Sequence, residues 1–152
     1  IPTIVMAAIF PGLSQAKHFS AYFRKGVLLL TLSGIAGGSA VFLLAEWIIH
    51  LFFAAEFQSS AEILQILAFA IPLVFWGYLM TQSLVALDHN RIYLGITAGG
   101  VLLNVLLNFW LIPEHGASGA AVATVITEAL IPFSCFLMIL KHQLSSPPAH
   151  GA

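Results

Sequence analysis

Glu128 is the residue whose type and place could do most chemistry, because it stands about halfway along the apolar run 117–140. A carboxylate at that depth of a bilayer costs at least about 2.5 kcal/mol on insertion scales. It must therefore face a bundle interior or a watery cavity. There it would serve as a coupling site for a proton or sodium ion, as a cavity contact, or as a hydrogen-bonded structural acid. Pro132 follows four positions later and cannot donate to the Glu128 carbonyl; Pro72 stands in the same relation to Ala68. Each proline predicts a kink, and such kinks are hinge candidates. Asn104 and Asn108 are spaced to share one helix face, Thr124 lies on the Glu128 face, and Gln82 with Ser83 marks the inner part of another run. These side chains could line one polar path between helices. They could equally form interhelical hydrogen bonds of about 0.6 kcal/mol each. Glu46 and His50 repeat the same spacing, but Trp47 beside them marks a membrane boundary and makes them an exposed interfacial pair.

Enzyme chemistry finds no foothold. The histidines at 18, 50, 89, 115, 142 and 150 include no pair at the close spacing of a metal site. Cys135 is the single cysteine and sits in an apolar run. Neither a nucleophile elbow (G-x-S-x-G), a zinc-binding H-E-x-x-H nor a phosphate-cradling glycine loop occurs. No catalytic residue, metal ligand or cofactor is expected.

The elements that must position these side chains follow from composition. Of 152 residues, 60% are hydrophobic and 7% charged, against about 25% charged in a soluble domain. Eleven charged side chains cannot cover the surface of such a globule, so a water-soluble fold is excluded. The formal net charge of -1 also argues against a nucleic-acid partner. About 20 apolar residues in a helix cross a hydrocarbon core, and four segments qualify: 26–53, 63–86, 92–112 and 117–140. Residues 1–13 read as the end of a preceding span, closed by Pro11-Gly12. The chain opens inside that stretch without a basic leader, which reads as a piece lacking an N-terminal portion. The expected class is all-α, a polytopic transmembrane helix bundle.

Short connections at 14–25, 54–62, 87–91 and 113–116 make successive spans antiparallel. Lys17, Arg24, Lys25, Arg91 and Lys141 then fall on one side, and Glu56, Glu62 and Glu114 on the other. The positive-inside rule places the basic side, with the polar tail 141–152, in the cytoplasm. Trp47 and Trp110 fall near outer span ends, and Tyr22 and Tyr93 near inner ones, whereas Trp76 lies mid-span and is expected to pack inward. Small residues recur at helix-packing spacing: Gly34/Gly38, Gly95/Gly99, Gly116/Ala120 and Gly119/Ala123.

The stretch Leu107-Asn108-Phe109-Trp110-Leu111-Ile112-Pro113-Glu114-His115-Gly116-Ala117-Ser118-Gly119-Ala120-Ala121-Val122-Ala123-Thr124 resembles the signature of oligosaccharide-lipid (polysaccharide) flippases. These belong to the multidrug/oligosaccharidyl-lipid/polysaccharide exporter superfamily. Phe10-Pro11-Gly12-Leu13-Ser14 and the run from Phe57 to Ala68 are similar to further elements of that pattern. Two places depart from it: Ala55 stands where glycine is frequent, and the turn Asp88-His89-Asn90-Arg91 lacks the expected glycine. The resemblance implies a two-lobed alternating-access transporter of the bacterial inner membrane, with this chain as part of the C-terminal lobe. Its substrates would be polyprenyl-pyrophosphate-linked glycans. Arg24, Lys25 and Arg91 would at most contact lipid headgroups, and the pyrophosphate would be met by the missing N-terminal lobe. A cation-coupled multidrug antiporter of the same superfamily, or a membrane scaffold that transports nothing, would share these features.

Overall fold

The computed structural model describes residues 4, 7, 19–53 and 57–145. The expected end of a preceding span at 1–13, apart from helical residues 4 and 7, lies outside that range. So do Lys17, the middle of the 54–62 connection and the tail beyond 145. Within the range the protein is an all-α, multi-pass helix bundle: α1 (Phe19–Phe52), α2 (Ser60–Ala68), α3 (Ala70–Ala86) and α4 (Asn90–Ser145). Three stretches are long and apolar enough to cross a membrane: Phe23–Phe52, Ser60–Ala86 and Asn90–His142.

The last of these holds 53 residues and would reach about 80 Å if straight, far beyond a core of about 30 Å. It is folded double at Gly116, whose φ of 58° and ψ of -136° leave the helical region. Only glycine adopts that conformation without strain. Three contacts establish the antiparallel hairpin. Asn104 bonds Thr127, a Cβ on Gly100 would strike Ile131, and the rings of His89 and His142 lie 4.7 Å apart. All three pairs are centred on the same point beside Gly116. The corner is thus tighter than the expected 113–116 loop, because Pro113, Glu114 and His115 remain helical. Close to the corner, Gly119 lies against the backbone carbonyl of Leu111, where no Cβ fits.

The second stretch is also not one continuous helix. It is interrupted at Phe69, three residues before Pro72, where Phe69 N–H reaches back only to Ile66 O at 3.2 Å. A proline leaves the carbonyl four residues back without its donor, so the ladder fails there. α1 is pressed against this break. Cβ atoms on Gly34 and Gly38 would stand 2.8 Å from Pro72 Cα and Ala68 O respectively. Phe42 and Phe69 complete the seam edge to face, 5.6 Å apart.

The reversal after α3 is a Schellman motif: His89 N–H donates to Leu84 O and Asp88 N–H to Val85 O. Asp88 takes the left-handed position at φ 59°, and Asn90 Nδ2 donates to its carboxylate at 3.2 Å. α1 begins earlier than the expected span because nothing in Phe19–Lys25 stops a helix, and long basic side chains can extend along it to the headgroups. The closest packing lies toward the basic ends of the spans, where Leu30, Leu79, Met80, Leu84, Cys135 and Ile139 form the buried cluster.

Candidate functional site

Two sets of contacts fix the rotation of the second arm of α4 (117–145). Toward the first arm it presents Gly119, Thr127 and Ile131. Toward α3 it presents Pro132, over which a Cβ on Gly77 would stand at 3.6 Å. Phe136 lies beside it, with its ring 6.1 Å from that of Trp76. The mid-span indole is therefore a packing group. Val122, Ile126, Leu130, Phe133 and Leu137 form the exposed stripe of this arm. At about 100° per residue, Glu128 points nearly opposite that stripe. Ala121 and Cys135, seven residues to either side on the same line, are buried. Glu128 itself is half-buried, and no side chain among the described residues bonds or pairs with its carboxyl.

The two asparagines belong to a different face. Asn104 Nδ2 donates to Thr127 Oγ1 at 3.2 Å, and Thr127 Oγ1 donates onward to Ala123 O at 2.8 Å. Asn108 Nδ2 donates to both Asn104 O (2.8 Å) and Asn104 Oδ1 (2.9 Å). Asn104, Asn108 and Thr127 thus form one chain of bonds inside the hairpin. Thr124 donates to Ala120 O at 3.0 Å within its own helix. Gln82 is half-buried toward the C-terminal end of α3. With Gly77 level with Pro132, it lies about 13 Å farther along the helix axes than Glu128. The structure therefore groups Asn104 with Asn108, sets Glu128 about a quarter-turn away from their seam, and keeps Gln82 apart.

Sequence reasoning missed Thr127, which is buried and holds the central bond of the chain. Its signal was available, because folding the run about Gly116 brings 127 opposite 104. Pro72 lies beside the break at Phe69, and Pro132 rests on Gly77. Both prolines flank the depth of Glu128, whose level on α3 falls about one turn from the break.

At the ends, Arg24, Lys25, Arg91 and Lys141 are exposed and share one side of the bundle. On the other side Glu46, His50, Gln58, Glu62 and Gln65 surround a polar hollow of about 330 Å³. There Gln58 Nε2 and His50 Nε2 lie 3.4 Å apart. No group of three or more metal-binding side chains forms among the described residues.

Comparison with curated proteins finds three proteins of similar sequence. A probable multidrug resistance protein of Bacillus subtilis is 27% identical over 93% of this chain and 33% of its own length. An uncharacterized membrane protein of Methanocaldococcus jannaschii is 26% identical over 91% of this chain and 34% of its own. A probable low-salt glycan biosynthesis flippase of Haloferax volcanii is 28% identical over 93% of this chain and 30% of its own. The chain spans about a third of the length of these relatives. No protein-family model matches it, and no solved structure matches it.

Proposed function

We propose that this chain forms the closing spans of one lobe of a membrane transporter. The transporter moves lipid-linked oligosaccharide or polysaccharide precursors across the bacterial inner membrane by alternating access. The observation that carries the reading is the Glu128 carboxyl, which stands half-buried midway along the second arm of α4, on the face of its helix where Ala121 and Cys135 are buried, with no side-chain partner among the described residues. A purely structural bundle gains nothing by keeping such a group there, since hydrocarbon makes it costly. A transporter needs a group that exchanges partners. The helix break at Phe69 and the proline at 132 support the same reading, because they allow bending at that depth. A polyprenyl-pyrophosphate glycan is anionic, and every Lys and Arg of this chain lies outside the expected spans 26–53, 63–86, 92–112 and 117–140. Recognition of the pyrophosphate therefore falls to the other lobe, while this one supplies the coupling carboxyl, a proton or sodium ion being its charge partner. The basic ends and the C-terminus face the cytoplasm.

The relative named as a multidrug resistance protein favours a second reading, a cation-coupled antiporter in which Glu128 meets a cationic drug. One experiment tests both. Glu128→Gln in the full-length transporter abolishes export while membrane levels persist, and the substrate whose export is lost, glycolipid or lipophilic cation, selects the reading. Undiminished export of both would remove Glu128 from the mechanism.

A further inference from the structure

We propose that Asn104 and Thr127 are positioning residues for Glu128, holding the last helix at the rotation that turns its carboxyl inward. This role rests on Glu128 serving transport, as proposed above. In lipid there is no hydrophobic drive between helices, because acyl chains are as apolar as leucine, so close packing and interhelical hydrogen bonds together set how two helices meet. The seam between the two arms is close-packed, with Ile131 over Gly100 and Gly119 on the Leu111 carbonyl, and the Asn104–Thr127 bond adds a directional contact to it. Among the described residues of the membrane interior, the Asn104–Thr127 bond is the one side-chain hydrogen bond joining two spans.

The residue next to Thr127 is Glu128, about 100° further around the helix. With Thr127 directed at Asn104, Glu128 faces the side where Ala121, Pro132 and Cys135 are buried. A further turn by one residue position in the same sense would carry the carboxyl toward the lipid-exposed stripe of Val122, Ile126 and Leu130. Asn108 steadies the device from one turn away, since its amide donates to the Asn104 side-chain oxygen and so orients the Asn104 amide toward Thr127. The asparagine pair thus clamps the hairpin.

The test is the reactivity of Glu128 toward dicyclohexylcarbodiimide, which reaches carboxyls from the hydrocarbon phase. The full-length protein is placed in phosphatidylethanolamine–phosphatidylglycerol vesicles, and the Glu128 adduct is quantified by peptide mass spectrometry. Thr127→Val keeps the side-chain shape and removes the acceptor. It raises labelling about threefold, the factor that one interhelical hydrogen bond is worth, and Thr127→Ser restores the original rate. Asn104→Leu removes the same bond from the other arm and gives the same increase, so the test survives failure of either variant to accumulate. Unchanged labelling in both variants would overturn the proposal. Increased labelling with the pH profile of transport shifted supports it, and serine at 127 returns that profile to its starting place. Increased labelling with transport untouched also supports the positioning role, and refutes the coupling role of Glu128 separately.

Discussion

Substitution of single glycines by alanine separates the seams that hold this bundle from glycines that merely share their spacing. At Gly119 the new Cβ would stand 2.7 Å from the Leu111 carbonyl carbon, and ordinary contact begins at 3.4 Å. The arms must therefore part by at least 0.7 Å, the difference of these two distances, and neither partner is a flexible side chain. Overpacking of this kind costs about 1–3 kcal/mol. Removing a glycine from a helix returns about 0.5–1 kcal/mol, so the midpoints of the two ranges leave a net loss of about 1 kcal/mol at Gly119. At Gly100 the obstruction is the far end of the Ile131 side chain, 2.5 Å away. That chain can turn, and the two effects nearly cancel. Gly95 and Gly99 have nothing within 4 Å among the described residues, so alanine there leaves every contact of the hairpin intact. Unfolding of the purified protein in mixed micelles, titrated with a denaturing detergent, should rank Gly119→Ala as the least stable, with Gly100→Ala near the parent. Gly119→Ala as stable as the parent would refute the close approach at the corner, and with it the register of the hairpin.

Three other predictions concern the corners and the orientation. Gly116→Ala forces an L-residue into φ 58°, ψ -136° and should cost about 1–3 kcal/mol in the same titration. Asp88→Gly, at φ 59°, should be neutral or stabilising, because glycine takes the left-handed position freely. Cysteine accessibility fixes the topology: a membrane-impermeant maleimide should label Glu114→Cys from outside the cell and Ser145→Cys only from the cytoplasmic side. Cys135 is buried and stays silent in both. The reverse pattern would invert the assignment.

Much of the fold was written in hydropathy and punctuation. Runs of apolar residues marked the membrane-crossing segments, and Asp88-His89-Asn90 marked a reversal whose Schellman geometry follows. Other features depend on three-dimensional placement that local patterns do not carry. The spacing of Gly34/Gly38 and Gly95/Gly99 is identical, yet among the described residues only the first pair meets another helix, while Gly100 makes the contact in the third run. Pro72 signalled a weak point in its helix, but the interruption falls at Phe69, where α1 presses on the undonated carbonyl. In the candidate site, Glu128 was legible from depth alone. Asn104 and Asn108 were legible as a pair that could bond between helices but not in their partner, because Thr127 sits on the far side of a corner one residue wide.

That corner also governs how the chain enters the bilayer during synthesis. With Gly116 as the whole non-helical connection, the third and fourth crossings cannot be delivered to the lipid one after the other with a slack loop between them. Joint exit from the insertion machinery, with the two arms already paired, is the expected outcome. An amide such as Asn104 crossing alone would meet hydrocarbon with its donors bare, whereas the paired arms carry its bond to Thr127 already made. A ribosome stalled with Asn104 emerged and Thr127 still in the exit tunnel should therefore hold an uninserted intermediate, and release should integrate both crossings in one step.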